Sequence, residues 1–223
     1  MINQFKQSLS FILFISLSFF AINANSTTIV IMKTSLGEIK LALDEEKAPL
    51  SVANFIRYAN EGFYDNTIFH RVINGFMAQG GGYNKQMQKK STHDAIRNEA
   101  RNGLKNNRGT LAMARTGDPH SATAQFFINL VDNDYLNHTS PSENWGYAVF
   151  GKVIKGMDIV DKISEVSVGV KKGMRNVPDE TVFIKTMMVE SKPSQKINIQ
   201  VEAQPPTISV ESIPEITISN IKE

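Results

Sequence analysis

One arginine and one glutamine stand among large apolar side chains at residues 69–82, and these residue types together can bind an amide. Arg71 is a permanent cation with several N–H donors, and Gln79 offers both a donor and an acceptor. The apolar side chains between them are Ile73, Phe76 and Met77. The segment has no cysteine, no serine beside a histidine and no acidic pair. Such a site can bind and polarise an amide, but it lacks the groups that cleave one.

Composition places the chain among soluble globular proteins. It has 223 residues, of which 41% are hydrophobic and 21% are charged, and these fractions are usual for that class. The net charge is +2 and the basic residues are scattered, so nothing predicts binding to nucleic acid or to an anionic membrane surface. The absence of cysteine excludes disulfides, thiolate metal sites and a lipid anchor on cysteine.

The first 24 residues have the layout of a secretory signal peptide. Lys6 is their only charged side chain, and an apolar run extends from Leu9 to Ile22. Ala24 is a suitable small residue for cleavage. The run is shorter than the roughly 20 residues that span a bilayer, which disfavours the alternative of a retained membrane anchor. We therefore predict an exported protein with no membrane contact after the signal peptide is removed.

The region 28–190 predicts many short strands. Runs rich in β-branched and apolar residues predict strands at 28–33, 37–43, 67–73, 110–114, 125–130, 147–153 and 181–190. The first two of these strands form a predicted hairpin, because a short turn segment separates them. Long loops at 83–108 and 137–144 are candidates for carrying function.

Two helices interrupt the predicted strands. After Pro49, the apolar residues Val52, Phe55 and Ala59 recur at helical spacing, and Gly62 follows them. This pattern predicts a helix of about 11 residues. A second helix is predicted at 156–164. Many short strands with two isolated helices favour an antiparallel sheet that closes, or nearly closes, on itself.

The composition changes at residue 191. The segment 191–223 alternates Ile and Val with Thr, Ser and Glu, and Pro193, Pro205-Pro206 and Pro214 interrupt it. Prolines at this spacing argue against a regular sheet. The segment is predicted to be a largely disordered tail. The alternative is a partner-binding arm that adds itself to an open sheet edge.

Four motifs occur in an order that resembles a known family. They are FHRVINGFMAQGGG at 69–82, NEARNGLKNNRGTLAMART at 98–116, SATAQFFINL at 121–130 and GYAVFGKVIKGMDIVDKI at 146–163. On these motifs, the region 28–190 resembles a cyclophilin-type peptidyl-prolyl cis-trans isomerase, and it is most similar to the periplasmic members of Gram-negative bacteria. The resemblance implies a mainly β fold, an eight-stranded antiparallel closed barrel capped by two α-helices, with the site in a groove on its outer face. It implies no cofactor and no metal.

The resemblance also assigns the site residues. Arg71 matches the catalytic arginine, and Gln79, which can fix Arg71 or a substrate carbonyl, is the second predicted catalytic residue. Gln125 joins Gln79 at the polar rim. Ala114 and Arg115 match the backbone segment that pairs with the residues before the proline. The walls of the proline pocket match Ile73, Phe76, Met77, Phe127 and Leu136.

The chain departs from many family members at three positions. Asn74 replaces a proline that many members have, and Gly75 keeps the turn. The substrate-binding positions Tyr135 and Tyr147 stand where many eukaryotic members have tryptophan and histidine. The missing indole donor at position 135 predicts weak binding of cyclosporin.

The chemistry of X–Pro rotation explains why this residue set is suitable. Rotation about a peptide C–N bond costs about 18–20 kcal/mol, and uncatalysed X–Pro isomerisation takes tens to hundreds of seconds. In the twisted state the prolyl nitrogen regains a lone pair, which the permanently protonated guanidinium of Arg71 can hydrogen-bond. Water stabilises the polar planar amide, and an apolar pocket lowers that advantage because it excludes water. The sequence thus predicts an isomerase that assists the folding of exported, proline-containing polypeptides in the periplasm.

Several residues that could suggest other chemistry have a structural explanation. The four histidines lack metal-ligand spacing, and His70 is predicted to face away from Arg71 as a hydrogen-bonded core residue. Alternation places Phe126 and Phe127 on opposite faces, and the resemblance assigns Phe126 to the core. The cluster Asp118, His120 and Ser121 lacks a nucleophile elbow and is read as a loop. The glycines at 80–82 predict a bulge or a close backbone approach.

Two rival functions remain open. The domain could be a proline-peptide binding module or chaperone whose catalysis is incidental, or the function could reside in the tail as an interaction arm. The intact Arg71 favours the enzyme. A monomer is the predicted oligomeric state.

Overall fold

The computed structural model describes residues 27–140 and 142–190, so the predicted signal peptide and the tail at 191–223 lie outside the described residues. The helices are α1 (Pro49–Asn60) and α2 (Met157–Ser164). The strands are β1 (Thr28–Thr34), β2 (Glu38–Leu43), β3 (Thr67–Ile73), β4 (Met77–Gly80), β5 (Thr110–Met113), β6 (Phe126–Asn129), β7 (Val149–Lys155), β8 (Val168–Lys171), β9 (Met174–Pro178) and β10 (Phe183–Val189). No helix in this described part is long and apolar enough to cross a membrane.

Eight of the strands form a closed barrel, as predicted. Their order around the barrel is β1-β10-β3-β4-β6-β5-β7-β2, and all of the pairs are antiparallel. Closure satisfies the backbone hydrogen bonds at both edges of the sheet. The fold is therefore mainly β, with the two predicted helices.

Aromatic side chains fill the barrel under α1. Phe55 of α1 packs against Phe126 and Phe150, with ring centroids 5.4 Å and 5.1 Å apart, and all three side chains are fully buried. Tyr64 is buried beside them and donates a hydrogen bond of 2.8 Å to the carbonyl oxygen of Ala124. This interior cluster confirms that Phe126 belongs to the core, as the sequence predicted.

Helix α1 begins at Pro49 as predicted, but a distant residue caps it. The residue before the helix, Ala48, has no side chain that could cap it, and no side-chain cap is formed there. The Glu99 carboxylate instead accepts hydrogen bonds from the backbone N–H groups of Leu50 and Ser51 and from the Ser51 hydroxyl, at 2.7–2.9 Å. A carboxylate at a helix N-terminus satisfies free N–H donors and interacts favourably with the helix dipole. The cap ties the long loop at 83–108 to the helix.

Three strands were not among the seven that the sequence pattern predicted. Strand β4 has the sequence MAQG, which contains no β-branched residue and so gives little strand signal. Strands β8 and β9 form a separate two-stranded sheet. The predicted strand at 147–153 is shifted, because β7 spans Val149–Lys155. Strand β4 completes the wall on which the candidate site lies.

Candidate active site

A β-bulge in β3 places Arg71 on the outer surface of the barrel. In the pairing of β3 with β4, Phe69 lies opposite Gly80, whereas Arg71 lies opposite Gln79. His70 is therefore an extra residue in the ladder. Without the bulge, alternation would put Phe69 and Arg71 on the same face. With it, Phe69 packs in the interior cluster, and Arg71 lies with Gln79 on the opposite face.

The paired residues continue as a row across four strands. Gln79 of β4 lies opposite Phe127 of β6, which lies opposite Ala112 of β5, which in turn lies opposite Val149 of β7. These apolar residues belong to a second hydrophobic cluster, separate from the interior cluster. Phe127 thus lies in an outer groove while Phe126 lies in the core, as the sequence predicted. We call this surface the outer groove; the rest of its cluster is Ile73, Phe76, Met77, Leu104, Ala114, Leu136 and Tyr147.

The Arg71 side chain is half-buried and has only weak contacts inside the groove. Its Nη1 atom lies 3.5 Å from Oε1 of Gln79 and 3.7 Å from the sulfur of Met77, and both distances are long for strong hydrogen bonds. Its guanidinium carbon is 5.8 Å from the centroid of the Phe76 ring. The guanidinium therefore has donors available for a ligand.

A chain of amides aligns Gln79. Its Nε2 donates a hydrogen bond of 3.0 Å to Oε1 of Gln125. Gly82 lies against Gln125 so closely that a Cβ atom at position 82 would come within 2.4 Å of the Gln125 side chain. A Cβ at Gly81 would lie 2.8–2.9 Å from Phe126 and Tyr64. These contacts confirm the close backbone approach that the glycines predicted.

Tyr135 lies at one end of the groove. Its ring stacks on Phe76 with centroids 5.8 Å apart, and 65% of the residue is exposed. Partial desolvation raises the pKa of the Tyr135 hydroxyl, and the nearby charge of Arg71 opposes that rise. The hydroxyl is thus close enough to the guanidinium to sense its charge.

Arg115 lies at the other end of the groove, where three contacts fix its guanidinium. Its Nε donates to the carbonyl oxygen of Gly146 at 3.1 Å and its Nη1 to that of Thr116 at 2.9 Å. Its guanidinium carbon lies 4.4 Å from the centroid of the Tyr147 ring, a distance typical of a cation–π contact. The Tyr147 ring meets Phe127 edge to face at 5.6 Å, which links Arg115 to the groove wall.

A cavity of about 140 Å³ lies at the centre of the groove. It brings together nine of the twelve predicted site residues: Arg71, Phe76, Met77, Gln79, Ala114, Arg115, Phe127, Leu136 and Tyr147. The other three contact them: Ile73 packs in the same cluster, Gln125 is bonded to Gln79, and Tyr135 stacks on Phe76. A larger space of about 950 Å³ borders β2 and β7. It shares no lining residue with the smaller cavity and contains none of the twelve predicted site residues.

A buried network of asparagine side chains, which was not predicted from the sequence, supports the groove. Its members are Asn106, Asn129, Asn133 and Asn137, each less than a tenth exposed. The Asn106 amide donates to the carbonyl oxygens of Leu136 and Tyr147, at 3.2 and 3.4 Å. Asn133 donates to the carbonyl oxygen of Phe76 at 2.9 Å. The network thus holds the backbone of three groove residues. The motif KNNRG at 105–109 and the later asparagines were its only signal in the sequence.

His70 departs from its predicted role. It is buried, as predicted, but it is the bulge residue and its ring packs against Tyr83 at 4.5 Å. Within the described residues its Nδ1 atom has no hydrogen-bond partner, so the prediction of a hydrogen-bonded side chain is wrong for that atom. Burial lowers its pKa to about 4, with Ile68 opposing the shift and the charge of Arg71 adding to it. The imidazole is therefore neutral at pH 7.

The cluster of Asp118, His120 and Ser121 is a loop, as predicted. The Ser121 hydroxyl donates to the backbone carbonyl of Asp118 at 2.7 Å, and the His120 Nδ1 atom accepts from the backbone of Asn98. Serine and histidine are thus bound elsewhere, not to each other. In the described part of the chain, no group of three or more histidine or acidic side chains could hold a metal ion.

The closed barrel with its groove on the outer wall has the cyclophilin fold, and comparisons with known proteins agree. The family described as "Cyclophilin type peptidyl-prolyl cis-trans isomerase/CLD" matches residues 29–189. Peptidyl-prolyl cis-trans isomerase B of Escherichia coli (strain K12) is 57% identical over 162 residues, covering 72% of this chain and 98% of that protein. Peptidyl-prolyl cis-trans isomerase A of Dickeya dadantii (strain 3937) is 51% identical over 172 residues, covering 77% and 90%.

Solved structures give the same result. A cyclophilin-type isomerase of Cryptosporidium parvum, for which one of two structures was solved in the presence of the dipeptide Ala-Pro, is 28% identical to this chain. The other structure has a TM-score of 0.61 and covers 75% of this chain and 100% of its own. The chain belongs to the family of cyclophilin-type peptidyl-prolyl cis-trans isomerases. It is therefore an enzyme, and it isomerises peptide bonds that precede proline.

Proposed function

We propose that this isomerase accelerates X–Pro isomerisation during the folding of exported proteins, and that Arg71 is its catalytic donor. The observation that carries the proposal is the position of Arg71 at the rim of an apolar cavity, where its contacts with Gln79 and Met77 are long. A donor whose existing contacts are weak can transfer its hydrogen bond to a substrate without losing a strong one.

The twisted amide is the state that such a site favours. In the planar amide the prolyl nitrogen shares its electron pair with the carbonyl group, and in the twisted amide that pair is localised. A guanidinium hydrogen bond to the localised pair stabilises the twisted state more than the planar one, which is the requirement for catalysis. The guanidinium remains protonated at every working pH. A preorganised donor of this kind contributes about 10²–10³ in rate in other enzymes.

The apolar walls supply the second part of the proposed mechanism. The proline ring would occupy the cavity between Phe76, Met77, Phe127 and Leu136, of which Met77, Phe127 and Leu136 are buried. Holding the ring there keeps one side of the bond fixed while the preceding residue rotates. The same walls exclude water, which otherwise stabilises the polar planar amide. Gln79, aligned by Gln125, would bind a substrate carbonyl or keep Arg71 in place.

Export is part of the proposal and rests on the sequence alone. The layout of residues 1–24 is that of a secretory signal peptide, and the domain has no cysteine that an oxidising compartment could alter. We place the enzyme in the periplasm as a monomer. Its substrates are proline-containing polypeptides that emerge there unfolded.

The test uses a short X–Pro peptide and a protein whose refolding is limited by proline isomerisation. Wild type should accelerate both, and Arg71→Gln should lower kcat/KM by about 10²–10³-fold. Arg71→Lys should recover little of the wild-type kcat/KM, because an ammonium group lacks the planar fork of N–H donors. Arg175→Gln is the matched control, since Arg175 is exposed on β9 and does not line the cavity. Full activity in Arg71→Gln would overturn the assignment of Arg71.

The rival function predicts a different pattern in the same assays. A binding module or chaperone would suppress aggregation of an unfolded protein equally well in wild type and in Arg71→Gln. The proposed enzyme should lose its effect on the slow, proline-limited phase in that variant. Deletion of residues 191–223 addresses the tail, because unchanged turnover together with loss of a partner would assign the tail to an interaction.

A further inference from the structure

Among the described residues that form the outer groove and line its cavity, two carry a guanidinium group and none carries a carboxylate. Arg71 stands on β3, and Arg115 follows β5 on the other side of the cavity. The two strands are separated by β4 and β6, so they lie about 14 Å apart at the usual strand spacing. None of the nine residues that line the cavity is acidic. The cavity therefore has a positive charge at each of two opposite rims.

No acidic side chain among residues 27–140 and 142–190 forms an ion pair with either arginine. The ion pairs within the described residues are Lys40–Glu190, His93–Glu61, Arg108–Asp161 and Lys162–Asp158, so Arg71 and Arg115 have no acidic partner in that part of the chain. The mechanism uses Arg71 as a donor to the prolyl nitrogen. The charge of Arg115 has no role in that mechanism, because only the backbone at that position was expected to bind the substrate.

The guanidinium of Arg115 is also held in place. Gly146 and Thr116 accept from Nε and Nη1, and the Tyr147 ring covers one face. Within the described residues its Nη2 atom has no hydrogen-bond partner, so it can donate to a ligand. A fixed guanidinium loses less conformational entropy on binding a carboxylate than a free surface arginine does. Two fixed cations around a partly desolvated cavity also concentrate their field there.

We infer that Arg115 is a specificity-determining residue and selects peptides with an acidic side chain close to the proline. This inference rests on the proposed groove, because it needs the proline to occupy the cavity beside Phe127. An aspartate or glutamate within two residues of the proline can then reach the guanidinium of Arg115. A lysine at the same place meets two like charges and is disfavoured.

The expected preference is modest, because the groove is open to solvent on one side. Exposed and half-exposed ion pairs contribute about 0.2–1 kcal/mol, which corresponds to a factor of about 1.4 to 5 in kcat/KM. The preference should appear in KM and fade as salt is added, since the screening length falls to about 3 Å at 1 M salt.

The experiment measures isomerisation of a peptide series by the full chain. Glu, Gln or Lys is placed at each of the two residues on either side of the proline. In wild type at low salt, kcat/KM at one or more positions should follow the order Glu above Gln above Lys, with the Glu peptide about 1.4- to 5-fold above the Gln peptide. The Glu-to-Gln ratio should fall to about one in Arg115→Gln and persist in Arg115→Lys. The ratio is the readout, so a general loss of activity in a variant does not affect it.

Lys33→Gln is the matched control. It removes the same charge from β1, where Lys33 is exposed and lies far around the barrel from the groove, and it should leave the ratio unchanged. A wild-type ratio of one at every position, or a ratio that survives in Arg115→Gln, would overturn the inference. Failure of the proposed function gives a different result, because wild type would then not accelerate even the Gln peptides.

Discussion

Arg71 lies directly opposite Gln79 across the β3–β4 ladder, and the two face out of the barrel because His70 is an extra residue between Phe69 and Arg71. One inserted residue thus separates a core side chain from the proposed catalytic one. Bulges are frequent beside active sites because they redirect a side chain without breaking the sheet. Gln79 in turn is aligned by Gln125, so the position of the Gln79 side chain depends on a series of contacts that begins at Gly82.

Gly82→Ala should lower activity by displacing Gln125. The new Cβ would come within 2.4–2.8 Å of atoms in the Gln125 side chain, which must move and lose its hydrogen bond to Gln79. We expect kcat/KM to fall by roughly five- to tenfold, the cost of about one hydrogen bond. Gly117→Ala is the control, since a Cβ at Gly117 meets nothing within 4 Å. Equal activity in the two variants would contradict the alignment role of Gln125.

Asn106→Ala should loosen the groove wall and destabilise the protein. The change removes donors to the carbonyl oxygens of Leu136 and Tyr147 and removes the acceptor that binds the Asn129 amide. Leaving buried polar groups unpaired costs about 1–3 kcal/mol. We expect a lower free energy of unfolding in a denaturant titration and a higher KM. Asn107→Ala, at the exposed neighbouring position, should change neither quantity; similar losses in both variants would argue against the network.

The stability of the domain should fall between pH 6.5 and pH 4 because of His70. Its folded pKa is lowered to about 4, so between these values the unfolded state binds more protons than the folded state does. The contribution of the neutral imidazole is therefore complete above pH 6.5 and is lost as the pH falls toward 4. Over this pH range, His70 changes the free energy of unfolding by about 3 kcal/mol.

This pH dependence can be assigned by substitution. Denaturant titrations of His70→Gln across the same range should show a flatter profile, because glutamine does not titrate. Asn107→Ala, which alters an exposed side chain that does not titrate, is the control and should keep the wild-type profile. If His70→Gln loses stability in acid as steeply as wild type does, another group is responsible.

Tyr135→Trp should strengthen the binding of cyclosporin, which we predict to be weak in wild type. The tyrosine ring stacks on Phe76 at the groove end and is 65% exposed, so an indole can take its place and add an N–H donor. One added hydrogen bond gives roughly a two- to tenfold gain in affinity. The affinity for cyclosporin is measured as inhibition of peptide isomerisation, with Tyr135→Phe as the variant that has no donor at this position. Equally strong inhibition of all three proteins would refute the prediction.

The sequence determined the elements whose signals are local. Helix α1 was predictable because Pro49 and the spacing of Val52, Phe55 and Ala59 act within a few turns of one segment. The opposite placement of Phe126 and Phe127 followed from strand alternation together with the family motifs. Those motifs also indicated the site residues, and the structure gathers these around one cavity.

The tertiary structure decided the features that depend on residues far apart in sequence. Strand β4 has no strand propensity of its own and pairs only because β3 and β6 flank it. The bulge at His70 is a property of two paired strands, and so cannot be read from one. The Glu99 cap on α1 joins residues about fifty positions apart. The positive charge of the groove also depends on tertiary structure, since Arg71 and Arg115 line one cavity only after the barrel closes.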